Sequence, residues 1–124
     1  MQPLLVDSHC HLDKLDLASC GGSVGAALDA ARAAGVGRVL CIALHPDNIP
    51  AVLQLARDFP AVSATVGVHP LHVSEIPADP ARLRQWAEDA EVVAIGETGL
   101  DYYYAPESRE AQRESFAQHL ALAA

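Results

Sequence analysis

A chain of 124 residues holds one ordinary domain and excludes a second full one, because single domains commonly run to about 100 to 150 residues. With 51% apolar and 19% charged residues there is ample material for a core and no reason to invoke disorder. Its 8 basic against 16 acidic side chains, net −8, are the reverse of the basic footprint by which proteins grip DNA electrostatically, so any phosphate must be met by metal ions or local donors.

Taken in chain order, the amino terminus Met1–Asp7 lacks a basic run and has only the short apolar stretch Leu4-Leu5-Val6, so neither a signal peptide nor a membrane span is expected there. Leu4 to His9 reads as a short apolar strand that runs into polar residues. After Gly21-Gly22, Ser23 caps a helix over Ser23 to Ala34 with Val24, Ala27, Leu28 and Ala31 at helical spacing, ended by Gly35. Arg38 to Ala43 is a second strand. Asp47 is placed to cap a second helix, Asn48 to Phe59, with Ile49, Val52, Leu53 and Ala56 on one face. The pairing returns as strand Val62 to Val68 with helix Asp79 to Ala90, and as strand Val92 to Gly96 with helix Glu107 to Ala123. Cys10, Cys20 and Cys41 are odd in number and without C-x-x-C spacing, which predicts reduced thiols, no disulfide framework and a cytoplasmic setting.

Nearly all-apolar strands alternating with helices belong to parallel sheets, so the class is α/β. Four strand-helix units occupy 124 residues, whereas a (β/α)8 barrel takes eight units and about 250 residues. Residues 1–124 therefore read as the amino-terminal half of a barrel whose remainder is absent from the chain, which ends in the helical run Leu120-Ala121-Leu122-Ala123-Ala124 without a Gly or Pro stop.

Residues two apart in a strand share a face, so His9 and His11 can present both imidazoles to one ion while Cys10 points away, with Asp7 or Asp13 placed to ligate or to orient a ring nitrogen. The alternative is a surface pair satisfied by local hydrogen bonds. Glu97 lies at the end of the fourth strand between Gly96 and Gly99, glycines that would permit close backbone approach; it is a metal ligand, or else a helix cap or rim ion pair. In a parallel barrel every strand has its carboxyl end on one rim, so Glu97, His9 and His11 can converge there.

His69, before Pro70 at the end of the third strand, either contacts substrate or a bridging water or is a loop residue fixed by the proline. His45-Pro46 has the same outline, with the loop role expected. His72 and His119 read as ordinary surface residues, and Asp101 as a capping or orienting carboxylate. Tyr102 to Tyr104 could stack on a base, but packing of the loop is expected. Without a Gly-rich phosphate loop, a G-x-S-x-G elbow or a nucleophilic Cys signature, metal-assisted hydrolysis is the chemistry left.

Val6-Asp7-Ser8-His9-Cys10-His11-Leu12-Asp13, Val66-Gly67-Val68-His69-Pro70 and Ile95-Gly96-Glu97-Thr98-Gly99-Leu100-Asp101-Tyr102, in that order and spacing, resemble the TatD family of metal-dependent deoxyribonucleases over essentially the whole chain. The resemblance implies a TIM barrel with two divalent ions (magnesium, manganese or zinc), His9 and His11 on one ion and Glu97 as a catalytic carboxylate bridging to the second. It also implies His69 on the substrate side and DNA or another phosphodiester as substrate. Further family ligands, two histidines and an aspartate, come from later strands. The visible site is thus expected to be incomplete and the chain alone to show little or no catalysis. Two other readings stand beside this one: a metal-dependent hydrolase acting on another ester or an amide, and a noncatalytic half-barrel that self-associates or pairs with a partner through its exposed edges. No membrane partner is expected.

Overall fold

Four parallel strands lie in the order β1-β2-β3-β4 with a helix after each: β1 Leu5–Cys10, α1 Val24–Ala33, β2 Val36–Cys41, α2 Ile49–Asp58, β3 Val62–Val66, α3 Pro80–Ala87, β4 Val92–Ile95 and α4 Arg109–Ala123. The structure, a computed structural model, describes residues 4–124; Met1, Gln2 and Pro3, part of the amino-terminal stretch discussed above, lie outside the described residues. Because sequence order and sheet order coincide and all pairs are parallel, every helix returns the chain to the same end of the sheet, and all four strand exits share one rim. The fold is four consecutive βα units of a TIM barrel.

Local chemistry accounts for the helix starts. Ser23 Oγ accepts the Ala26 N–H, and Asp79 Oδ1 accepts those of Ala81 and Arg82, each such cap contributing about 1 kcal/mol. At α2 the expected cap, Asp47, yields to Asn48, whose Oδ1 accepts from the N–H groups of Leu44 and His45 and so folds the β2 exit onto the helix start. The third helix stops at Ala87 rather than Ala90, and the fourth begins at Arg109 behind a 3-10 turn over Pro106–Ser108. Gly35 leaves α1 at φ +98°, a left-handed conformation that a side chain would strain.

The core lies between the middle strands and the helices. Cys41, Ala43, Val62, Ala64, Val66 and Val68 are buried against Ile49, Val52, Leu53 and Ala56 of α2 and Leu83 of α3. The edge strands differ. Leu5 is 66% exposed, Val6 62% and Val93 63%, because β1 and β4 have neighbours on one side only. Among the described residues no helix is long and apolar enough to cross a membrane.

Candidate metal centre

β1 runs straight into the site. His9 lies on the strand and His11 one residue past its end, with their rings edge to face at 5.3 Å between centroids. The two acidic neighbours orient neither ring: Asp7 Oδ1 accepts the backbone N–H of His9, and Asp13 Oδ2 accepts from Asn48 Nδ2. The Ile42 carbonyl does so instead, accepting from His11 Nδ1 at 3.1 Å. A proton committed to that bond leaves His11 Nε2 with a free lone pair, the arrangement that metal-bound histidines commonly show.

Glu97 must reach His9 from three strands away, about 14 Å across a flat sheet at about 4.8 Å per strand. Yet Glu97 Oε2 lies 3.2 Å from His9 Nε2. Beyond the curl of the sheet, two backbone devices close this gap. At Gly67 an added Cβ would sit 2.6 Å from the Gly96 carbonyl carbon, so only glycine lets the β4 exit lean across β3. Having crossed, Glu97 N–H donates to the Ala43 carbonyl at 2.8 Å, a bond to the exit of β2. The buried Thr65 hydroxyl locks the same crossing: it accepts the Ala43 N–H at 3.0 Å and donates to the Gly96 carbonyl at 2.7 Å. The close-approach glycine is thus Gly67. A Cβ on Gly96 would meet nothing nearer than 3.9 Å, and Gly99 is required by its φ of +141°.

With Glu97 in place, one potential ligand atom each from His9, His11 and Glu97 lie within 4.8 Å of one another. Two imidazoles and a carboxylate so close, one of them oriented by a carbonyl, fit a borderline divalent cation.

His69 completes the convergence. Its Nδ1 accepts the Leu71 N–H at 3.1 Å, so Nε2 carries the proton and faces Glu97 Oε1 at 3.3 Å. Burial pushes His69 below the usual imidazole range, partly countered by the Glu97 carboxylate. Glu97 therefore meets His9 on one oxygen and His69 on the other. Beside His69, the half-buried His72 ring stands edge to face with His45 at 5.2 Å, so His72 is a packed member of the rim.

His119, expected at the surface, is fully buried in α4, where its Nε2 accepts the Val68 N–H at 2.9 Å. The only sequence signal for this was a histidine in line with Gln112 and Ser115 on one helical face. The tyrosines depart in the opposite direction. Tyr102 lies under Arg109, but Tyr103 and Tyr104 are 85% and 74% exposed and pack no loop. Asp101 caps this turn, its Oδ1 accepting from the N–H groups of Tyr103 and Tyr104. The thiols stand aside: desolvation, together with Cys41 and Asp7, pushes Cys10 up to about 12, and burial raises Cys41.

A sequence profile described as TatD related DNase matches residues 6–124. The chain is 43% identical over 116 residues to YcfH of Escherichia coli, named an uncharacterized metal-dependent hydrolase, covering 94% of this chain and 43% of that protein. It is 42% identical over 96 residues to a 3'-5' ssDNA/RNA exonuclease TatD of Erwinia tasmaniensis, covering 76% of this chain and 37% of that protein. The crystal structure of YjjV, a TatD homologue from Escherichia coli, superposes with a TM-score of 0.83 at 33% identity, over 96% of this chain and 46% of that one. A TatD-family hydrolase from Entamoeba histolytica gives 0.80 at 20% identity over 98% and 46%, a likeness of fold. The chain spans less than half the length of each of these proteins. On the profile match and these identities, the chain belongs to the TatD family of metal-dependent hydrolases.

Proposed function

We propose that this chain supplies the first-half ligands of a divalent-metal-dependent phosphodiesterase acting on DNA. The carrying observation is the convergence of His9, His11 and Glu97 to within 4.8 Å, with His11 Nδ1 already committed to the Ile42 carbonyl. In this reading His9 and His11 would hold one divalent ion, magnesium, manganese or zinc, and the Glu97 carboxylate would be available to it and to a second. Divalent ions there would lower the pKa of a water nucleophile and neutralise phosphate charge, which reconciles an acidic chain with an anionic substrate. The chain's own residues orient: Ile42 fixes the His11 ring, Thr65 and Ala43 fix Glu97, and His69 Nε2–H is aimed at the same carboxylate from the substrate side. The exonuclease name of the Erwinia relative supports a nucleic-acid substrate.

The test is a magnesium- or manganese-dependent phosphodiesterase assay on the longest product of the gene encoding this chain, comparing DNA with small esters. His9→Ala and Glu97→Ala are expected to lose activity by at least about 100-fold. Unchanged turnover in both rules the reading out, and preference for esters moves it to another hydrolase substrate.

The exposed apolar residues Leu5, Val6 and Val93 favour a second reading, association through the β1 and β4 edges. Sedimentation of the chain would then show oligomers, and a stable, metal-free monomer would count against it.

A further inference from the structure

A helix that covers a sheet ordinarily lays an apolar stripe against it. α4 instead turns Gln112, Ser115 and His119 inward, spaced i, i+3 and i+7, all three buried. Buried polar groups cost free energy unless partnered, and each of these three has a partner within the chain. Gln112 Oε1 accepts the Asp101 N–H at 2.6 Å, and its Nε2 donates to the carbonyls of Asp101 and Ala105, clasping the loop after Glu97. His119 Nε2 accepts the Val68 N–H at 2.9 Å and Nδ1 donates to the Ser115 carbonyl at 2.7 Å. These two bonds fix one tautomer, neutral with its proton on Nδ1.

Val68 needs this partner. β3 ends at Val66, and the β4 exit beside it has crossed over Gly67; among the described residues the Val68 N–H finds its acceptor on α4. The next residue is tied the other way, His69 N–H donating to the Leu44 carbonyl at 2.8 Å. Consecutive backbone groups are thus anchored to α4 and to the β2 exit, immediately before a ring whose Nε2 lies 3.3 Å from Glu97 Oε1.

We propose that His119 is a positioning residue for His69: by holding the Val68 N–H from the helix layer, it keeps His69 Nε2 directed at the Glu97 carboxylate. The placing of His69 stands on contacts within this chain; its catalytic consequence rests on the phosphodiesterase reading.

The experiment is long-range ¹H–¹⁵N NMR of the histidine rings in the full chain. Wild type is expected to show His119 as the Nδ1–H tautomer and His69 as the Nε2–H tautomer. His119→Gln, whose amide can both accept and donate, should keep the His69 ring resonances. His119→Leu, and His119→Asn with its shorter reach, should shift the His69 ring resonances as Nε2 turns from Glu97, although the Leu71 N–H still holds Nδ1, while Leu83→Ala, a core truncation on α3, should lower the melting temperature and leave His69 unchanged. In the phosphodiesterase assay His119→Leu should lose about tenfold in kcat/KM with unchanged metal affinity, and His119→Gln should recover it. A His119 Nε2–H tautomer in wild type, an unchanged His69 in folded His119→Leu, or an equal disturbance in Leu83→Ala would overturn the proposal. If His119→Leu does not fold, identical His69 spectra in the Asn and Gln variants overturn it. A wild-type protein without phosphodiesterase activity would sink the functional reading and leave the ring spectra to decide the positioning.

Discussion

The middle strands and the edge strands divide the work between them. β2 and β3 are buried among the helices and contribute scaffolding: the Ala43 carbonyl and N–H, the Thr65 hydroxyl, and a glycine at position 67. β1 and β4 are exposed along much of their length, yet they bring His9, His11 and Glu97. The groups that would hold a metal ion thus sit at the margins of the sheet, and the middle strands hold those margins together at the rim, with His69 reaching Glu97 from the β3 exit. Residues at the edges should govern ligand affinity with little effect on stability, and the middle-strand residues that bridge to the rim should govern both.

Gly67→Ala attacks the division hardest. The new methyl would meet the Gly96 backbone at 2.6 Å, so the β4 exit must withdraw, with a loss of about 3 kcal/mol in chemical denaturation and weakened metal binding by Glu97. Thr65→Val keeps the shape and removes the bridge between the Ala43 N–H and the Gly96 carbonyl; about 2 kcal/mol of stability should go, with reduced metal affinity in the same sample. Val66→Ala, equally buried but without a polar role, should cost about 2 kcal/mol and leave metal affinity alone.

Acid should probe the helix layer next. Burial holds His119 below its usual 6.5, so beneath that value the unfolded chain takes up a proton that the folded chain refuses. The contribution is full above pH 6.5 and is lost as pH falls through the depressed folded value. Melting temperatures at pH 7 and 5 should show the drop, and His119→Gln should flatten that part of it. The smallest effect is expected at the edge, where Val93→Ala should change stability by less than about 0.5 kcal/mol. A larger loss there would mean that β4 is covered in solution.

Much of this was legible in the residues themselves. The apolar runs and helical spacings marked all four strands and helices, and the cap Ser23 stood where α1 needs it. His9, His11, Glu97 and His69 were legible as strand-end residues, because a parallel sheet sends every exit to one rim. What escaped depends on backbone atoms that every residue possesses. The Ile42 carbonyl that orients His11 has no sequence signature, and it takes the role that Asp7 or Asp13 had suggested. Asp47 and Asn48 are adjacent cap-forming residues, and only the path of the β2 exit decides between them. A glycine at 67 is visible, but not the strand that crosses it. His119 lies between Gln118 and the exposed Leu120, and the rotation of α4 against β3, a tertiary property, turns it inward.

The most direct measurement is calorimetric titration of manganese into wild type, His9→Ala, His11→Ala and Glu97→Ala, with circular dichroism confirming that each variant is folded. A shared site predicts saturable binding in wild type that falls by at least about tenfold in all three single variants. Unchanged affinity in the folded variants would contradict it.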